Sequence, residues 1–212
     1  MRKVFLYLYP IEEYTRIFLC PDRYYKYNNL EHPFIVLNNT IDKRYREKGY
    51  EIIYAMYPDK TIHGIEPKET DKIIYTDITF QCASGYYKDG SAKPIEEIVY
   101  PNEEYLVSQV GLADELIIGG YHFSDCVKRV AEKALDMGIN TIVDLDLTDL
   151  FFSLYSKKEY FNIEKYDLER YKEYRLSRCF TNYQKENFEN HFKELYKSPV
   201  YGFYKEEEKK LI

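Results

Sequence analysis

Between Gly120 and Val127 the chain reads GYHFSDCV, and an imidazole, a carboxylate and a thiol fall close together in it. His122, Asp125 and Cys126 are the raw material of nucleophilic catalysis, in which a thiolate attacks a carbonyl carbon and a neighbouring base takes the thiol proton. Cys126 is the candidate nucleophile, and His122 or Asp125 its base. The competing readings are a small packing residue for Cys126, as free cysteines often are, and a loop histidine satisfied by its neighbours for His122. Downstream, Asp144, Asp146 and Asp149 in DLDLTD offer hard oxygen ligands of the kind that hold magnesium. Strand alternation puts Asp144 and Asp146 on one face, whereas Asp149 suits a helix N-terminus; capping or solvated carboxylates are the favoured reading. No metal is expected, and no cofactor, since His63, Gly64 and the scattered glycines make no phosphate loop.

The elements that must position these groups lie on either side. Leu116 to Ile118 is a short apolar run that meets two glycines, and Val127, Val130, Ala131, Ala134 and Leu135 then recur at helical spacing until Gly138. Ser124 or Asp125 is placed to cap that helix, and Ile139 to Leu145 reads as the next buried strand. Strand, helix and strand make a βαβ unit. In a parallel sheet ligands bind beyond the carboxyl ends of the strands, so the loop from Gly119 to Cys126 is the expected site.

A similar unit opens the chain. Lys3 to Tyr9 is a strand ended by Pro10, the spacing of Phe34, Leu37, Ile41 and Tyr45 is helical with Gly49 as the stop, and Glu51 to Tyr57 is a strand. Residues 11 to 30 read as a long loop with a helical turn, and Lys72 to Phe80 as a third strand. Residues 81 to 101 are punctuated by glycine and proline, with an Asp89-Gly90 turn, and read as an insertion near the site. Asn102 caps a helix running to Gln109 or Val110. Beyond Asp149 the pattern predicts tyrosine-rich helices over Leu147 to Ser156, Glu164 to Arg178 and Asn182 to Lys197, then a charged tail.

The predicted fold class is therefore α/β: one Rossmann-like, three-layer domain with a mainly parallel sheet over residues 1–150. Residues 151–212 form a helical extension that packs on the domain or on a partner subunit, with a homodimer through these helices as one expectation. A chain of 212 residues with 45% hydrophobic content can bury one sizeable core. Its net charge of -6 argues against a generally basic nucleic-acid surface. No stretch approaches the roughly 20 apolar residues of a membrane span. Four cysteines, Cys20, Cys82, Cys126 and Cys179, have neither metal-ligand spacing nor the density of a disulfide framework, which predicts a cytoplasmic protein with reduced thiols. The 25 tyrosines fit compositional bias better than a dedicated partner surface.

Gly120 to Asp146 resembles the isochorismatase-like cysteine hydrolases, in which a strand ends in glycine, a loop of form G-V-A-T-D-x-C-V follows, and a helix with inward alanines closes at a glycine before a strand ending near an aspartate. Val127, Ala131, Ala134, Gly138 and Asp146 fall in register. The resemblance implies that Cys126 is a nucleophile whose thiolate the helix N-terminus favours, with a non-proline cis peptide at His122-Phe123. It also implies an aspartate at the end of the first strand and a lysine after the third, where this chain has Tyr9 and Thr76. On that footing Tyr9, Thr76, Gly120, Tyr121, Phe123 and Ser124 line a site that takes an unidentified small molecule. The function it implies is small-molecule binding or assembly on a degenerate active site; the alternative is a divergent cysteine hydrolase of amide or related acyl substrates.

Overall fold

The computed structural model describes residues 1–19, 30–179 and 197–202. Five strands form one sheet: β1 (Lys3–Leu8), β2 (Glu51–Met56), β3 (Lys72–Tyr75), β4 (Glu115–Gly120) and β5 (Thr141–Thr148), in the order β3-β2-β1-β4-β5. Every pairing is parallel. The sequence order runs outward from β1 in one direction, then resumes on its other side with β4. That reversal is the topological switch point, and the carboxyl ends of β1 and β4 flank it.

Two cores follow from the alternation along β1. Val4, Leu6 and Leu8 face one layer, while Phe5 and Tyr7 face the other. Both sets are fully buried, as a central parallel strand requires. The helices are α1 (Glu12–Phe18), α2 (Pro33–Arg44), α3 (Phe80–Ala83), α4 (Glu103–Val110), α5 (Cys126–Asp136), α6 (Phe151–Tyr155) and α7 (Leu168–Ser177). Val36, Leu37 and Ile41 of α2 pack into the second core, and Val127, Val130, Ala131 and Ala134 of α5 into the first. The two crossover helices thus cover opposite faces, as right-handed connections from a reversing strand order demand.

Local signals fix most boundaries. Pro33 starts α2, where its missing N–H is not needed, and the His32 ring accepts from Phe34 N at 3.3 Å. The Asn102 side chain caps α4 by accepting from Tyr105 N at 3.0 Å. Gly49, Gly111 and Gly138 end their helices at positive φ.

Three boundaries depart from the sequence reading. The third strand stops at Tyr75 rather than Phe80, because Thr76 Oγ1 donates to Ile78 O at 2.7 Å, turning the chain into α3. Asp59 then accepts from Phe80 N at 2.7 Å. The last strand runs on to Thr148, so α6 starts at Phe151 and not Leu147. Asp167 sets the start of α7 by accepting from Glu169 N at 3.1 Å and Arg170 N at 3.4 Å. The helix expected over Asn182 to Lys197 and the charged tail fall on residues outside those described, apart from Lys197. Tyr171 and Tyr174 of α7, with Val200 and Tyr201, pack into the first core.

Asp144 and Asp146 do project to one face of β5, but they are neither solvated nor capping. Both are buried, and Arg44 from α2 reaches them, Nη1 lying 3.0 and 2.8 Å from the two Asp144 oxygens and Nη2 2.8 Å from Asp146 Oδ2. The Tyr45 hydroxyl also donates to Asp144, and the Arg44 guanidinium lies 5.1 Å from the centre of the Phe161 ring. Arg44 Nε donates to Asn162 O at 3.0 Å, fastening the 161–165 segment to the sheet. A guanidinium occupies the space a magnesium ion would need. Two carboxylates share one cation here, and burial pushes the Asp146 carboxyl up to about 7 against the opposing pull of Arg44.

Candidate functional site

Beyond the carboxyl ends of β1, β2 and β4 lies a cavity of about 490 Å³. The loop after β4 supplies His122 and Asp125, and the first residue of α5 is Cys126; α1 supplies Glu13 and Tyr14; the residue after β2 is Tyr57; and 80–101 close the far wall with Phe80, Tyr86 and Tyr100. The insertion read from residues 81–101 is thus a wall of this cavity. Its Asp89-Gly90 turn forms, with Tyr87 N donating to Ser91 O at 2.8 Å and Gly90 N to Tyr87 O at 3.0 Å. A smaller hollow of about 270 Å³ beside Phe34 and Gly64 holds no nucleophile.

Gly120 is required by packing. At φ 106 it crosses directly against β1, where a Cβ would collide with the Leu8 backbone. Tyr121 N donates to Leu8 O at 3.1 Å, and the Tyr121–His122 peptide is cis, one residue earlier than the resemblance implied. Asp125 N and Val127 N both donate to His122 O, at 3.1 and 3.0 Å, which closes the loop into α5. Neither Ser124 nor Asp125 caps this helix through its side chain: Ser124 is exposed, and Asp125 occupies the cap position with no such bond. Asp125 Oδ2 instead lies 4.0 Å from Cys126 Sγ.

Asp149, just past β5, organises the same loop. It accepts from Phe123 N at 3.0 Å and stands 3.4 Å from His122 Nδ1. The His122 ring also meets Tyr14 and Phe18 edge-on, with centroids 4.7 and 5.0 Å away. From the other side the Tyr201 hydroxyl donates to Phe123 O.

Of the residues assigned from sequence, His122, Asp125 and Cys126 line the cavity. Tyr9, Thr76, Gly120, Tyr121, Phe123 and Ser124 do not. Tyr9 is buried at φ 57, its N–H held by Ala55 O at 2.9 Å and its ring stacked on Tyr57 at 4.6 Å, so it forms the floor beneath the lining. Thr76 is buried and committed to its turn. Tyr121 is buried against Tyr7, Tyr14 and Phe18. Sequence reasoning missed Glu13, Tyr14, Tyr57, Phe80 and Tyr100. Tyr57 alone had a signal, because it follows β2 as Tyr9 follows β1; the others reach the cavity from the short helices α1 and α3 and from the segment before α4, whose paths no periodicity records.

Electrostatics at the thiol oppose the reading of a stabilised thiolate. Burial pushes the Cys126 thiol up to about 12, with the Asp125 carboxylate adding to the effect and Arg129 only partly countering it. The helix N-terminus is outweighed by desolvation and by a negative neighbour. Burial also raises the phenols of Tyr9, Tyr14 and Tyr57, with the thiol adding to the effect. Arg129 lies over Tyr100 at 4.2 Å and is ion-paired with Glu103. Lys60, beyond β2, pairs with Glu13 of α1 and sits 4.4 Å from the Phe80 ring centre. Among the described residues no lysine or arginine lines the cavity, and none holds a three-group cluster of metal-ligand type.

A rate follows from this chemistry. A thiol raised from 9.0 to about 12 carries about a thousandfold less thiolate at pH 7.5, and its greater intrinsic nucleophilicity recovers only about thirtyfold of that. Iodoacetamide should therefore alkylate Cys126 at least about tenfold more slowly than the exposed Cys82, as read by peptide mass spectrometry. Faster labelling of Cys126 would mean that the helix N-terminus prevails.

No protein-family model matches the sequence, and no curated protein matches it. Three solved chains align with the structure. A candidate Mar1 ribonuclease from Leishmania major aligns at 15% identity over 74% of this chain and 71% of its own, with a TM-score of 0.43. PnC1 from L. infantum, in complex with nicotinate, aligns at 13% identity over 69% and 80%, with a TM-score of 0.37. An isochorismatase-like hydrolase from Alkaliphilus metalliredigens aligns at 11% identity over 74% and 88%, with a TM-score of 0.39. In structure, this chain is similar to an isochorismatase-like hydrolase. Tyr9 and Thr76, the two positions that the sequence resemblance set against an aspartate and a lysine, are both buried, and Thr76 is held in its turn. Among the described residues, no helix is long and apolar enough to cross a membrane.

Proposed function

We propose that this protein binds a small molecule in the cavity above Cys126 and does not turn over acyl substrates there. The observation that carries the reading is the company the thiol keeps: a carboxylate 4.0 Å away, an apolar aromatic wall and, among the described residues, no lysine or arginine on the lining. An acyl-transfer site needs a thiolate and a donor or cation to meet the developing oxyanion. The lining disfavours the first, and its described residues supply no lysine or arginine for the second. An aromatic cleft with a few polar groups is the ordinary form of a small-molecule site.

The second reading is a cysteine hydrolase with His122 as base. It is favoured by the pairing of His122 Nδ1 with Asp149, which leaves the other ring nitrogen available to a thiol on the same lining. An amide and ester hydrolysis screen on wild type and Cys126→Ala separates the two. Turnover should be absent in both, while compounds that raise the melting temperature do so equally in both. Turnover abolished by Cys126→Ala would instead establish the hydrolase.

A further inference from the structure

We infer that the ligand of this cavity is a cation carried on an aromatic or apolar body, such as an arylalkylammonium, an inference that rests on the binding reading above. Three rings form a corner of the cavity: Phe80 meets Tyr14 edge-on at 5.8 Å and Tyr57 edge-on at 5.4 Å between centroids. Ring faces carry partial negative charge and attract cations, most strongly where water is displaced. Lys60 already sits 4.4 Å from the centre of Phe80, so this corner holds an ammonium in the protein itself.

Among the described residues, the formal charges on the lining have one sign. Glu13 and Asp125 are its two carboxylates, and no described lysine or arginine joins them. Glu13 gives one oxygen to Lys60, while its Oε2 is buried without a hydrogen-bond partner. A buried unpaired carboxylate oxygen is costly unless something donates to it, and a ligand ammonium or N–H would. Behind the lining, Lys60 offsets Glu13 and Arg129 is shared between Glu103 and the Asp125 region, so the local sum stays negative. An anionic ligand would face carboxylates with no partner of its own. The net charge of -6 also favours the approach of cations.

The test uses the full chain and three probes of common shape: benzyltrimethylammonium, phenylacetamide and phenylacetate, titrated by NMR or calorimetry. The expected order is cation over neutral over anion, with benzyltrimethylammonium at least about tenfold tighter than phenylacetate. Glu13→Gln and Asp125→Asn should each shrink that ratio by at least about threefold at unchanged melting temperature. Equal affinities, or phenylacetate binding best, would overturn the cation assignment while leaving the binding site in place. A third variant, Ser84→Trp, puts a large ring in place of a small lining side chain. If it leaves cation binding unchanged, or if none of the three probes binds wild type at millimolar concentration, the cavity reading itself fails and the inference with it.

Discussion

Raising the pH from 9 to 11 should unfold this protein in a single steep transition, with about 8 kcal/mol of stability lost by pH 11. The tyrosines Tyr7, Tyr9, Tyr45, Tyr54, Tyr57 and Tyr121 are all at most 5% exposed. Burial raises every one of their hydroxyls above the ordinary value of 10.0. In the folded chain these phenols hold their protons at pH 11; in the unfolded chain they lose them. A group with a raised folded pKa contributes stability that is complete below its unfolded pKa and lost as pH climbs toward the folded one. Each phenol contributes about 1.4 kcal/mol to the loss at pH 11, and six together rival the 5–15 kcal/mol that holds an ordinary domain folded. The Cys126 thiol, pushed up to about 12, acts in the same direction from pH 9 upward. Denaturant titrations followed by circular dichroism at pH 8, 9, 10 and 11 read the effect directly. A stability change under about 2 kcal/mol across that range would show that the phenols titrate without unfolding the core.

Replacing Arg44 should be the most damaging single substitution away from the sheet core. Arg44→Met leaves Asp144 and Asp146 buried without their cation, strands the Asn162 carbonyl, and removes the face that packs on Phe161. Breaking a buried pair by deleting one partner costs about 3–5 kcal/mol, which for a domain of this size lowers the melting temperature by roughly 10–15 °C. The sign of the pH dependence follows from Asp146. Its folded carboxyl lies at about 7, above the ordinary 3.8, so its contribution is most favourable below the unfolded value and declines as pH rises through 7. Without Arg44 that decline deepens, and the deficit of the variant should narrow as pH falls from 7.5 to 5. Adding Asp146→Asn should recover part of the loss at pH 7.5. A melting temperature within 2 °C of wild type for Arg44→Met would refute the account.

What the sequence settled by itself was the order and direction of the elements. β1, β2 and β4 each carry a run that is apolar on both faces, β5 alternates Val143, Leu145 and Leu147 with its two aspartates, and Gly49, Gly111 and Gly138 stop the helices that precede the next strand. Those are local facts, and local physics reads them: side-chain period, proline and asparagine at helix starts, glycine where φ turns positive. The place of the site was legible for the same reason, since a βαβ unit puts the loop after β4 beside the end of β1 whatever residues fill it. His122, Asp125 and Cys126 were found that way.

Only the tertiary structure decided what those residues face. Nothing in the spacing of DLDLTD says that Arg44, a hundred positions away on another layer, will meet Asp144 and Asp146. Cys126 stands at a helix N-terminus, which read alone favours a thiolate. The rings of Tyr9, Tyr14 and Tyr57, drawn in from three other segments, remove the water that a thiolate needs, and Asp125 turns its charge toward the sulfur instead of capping the helix. Desolvation and charge depend on distances through space, not along the chain, and at this thiol they outweigh the local dipole.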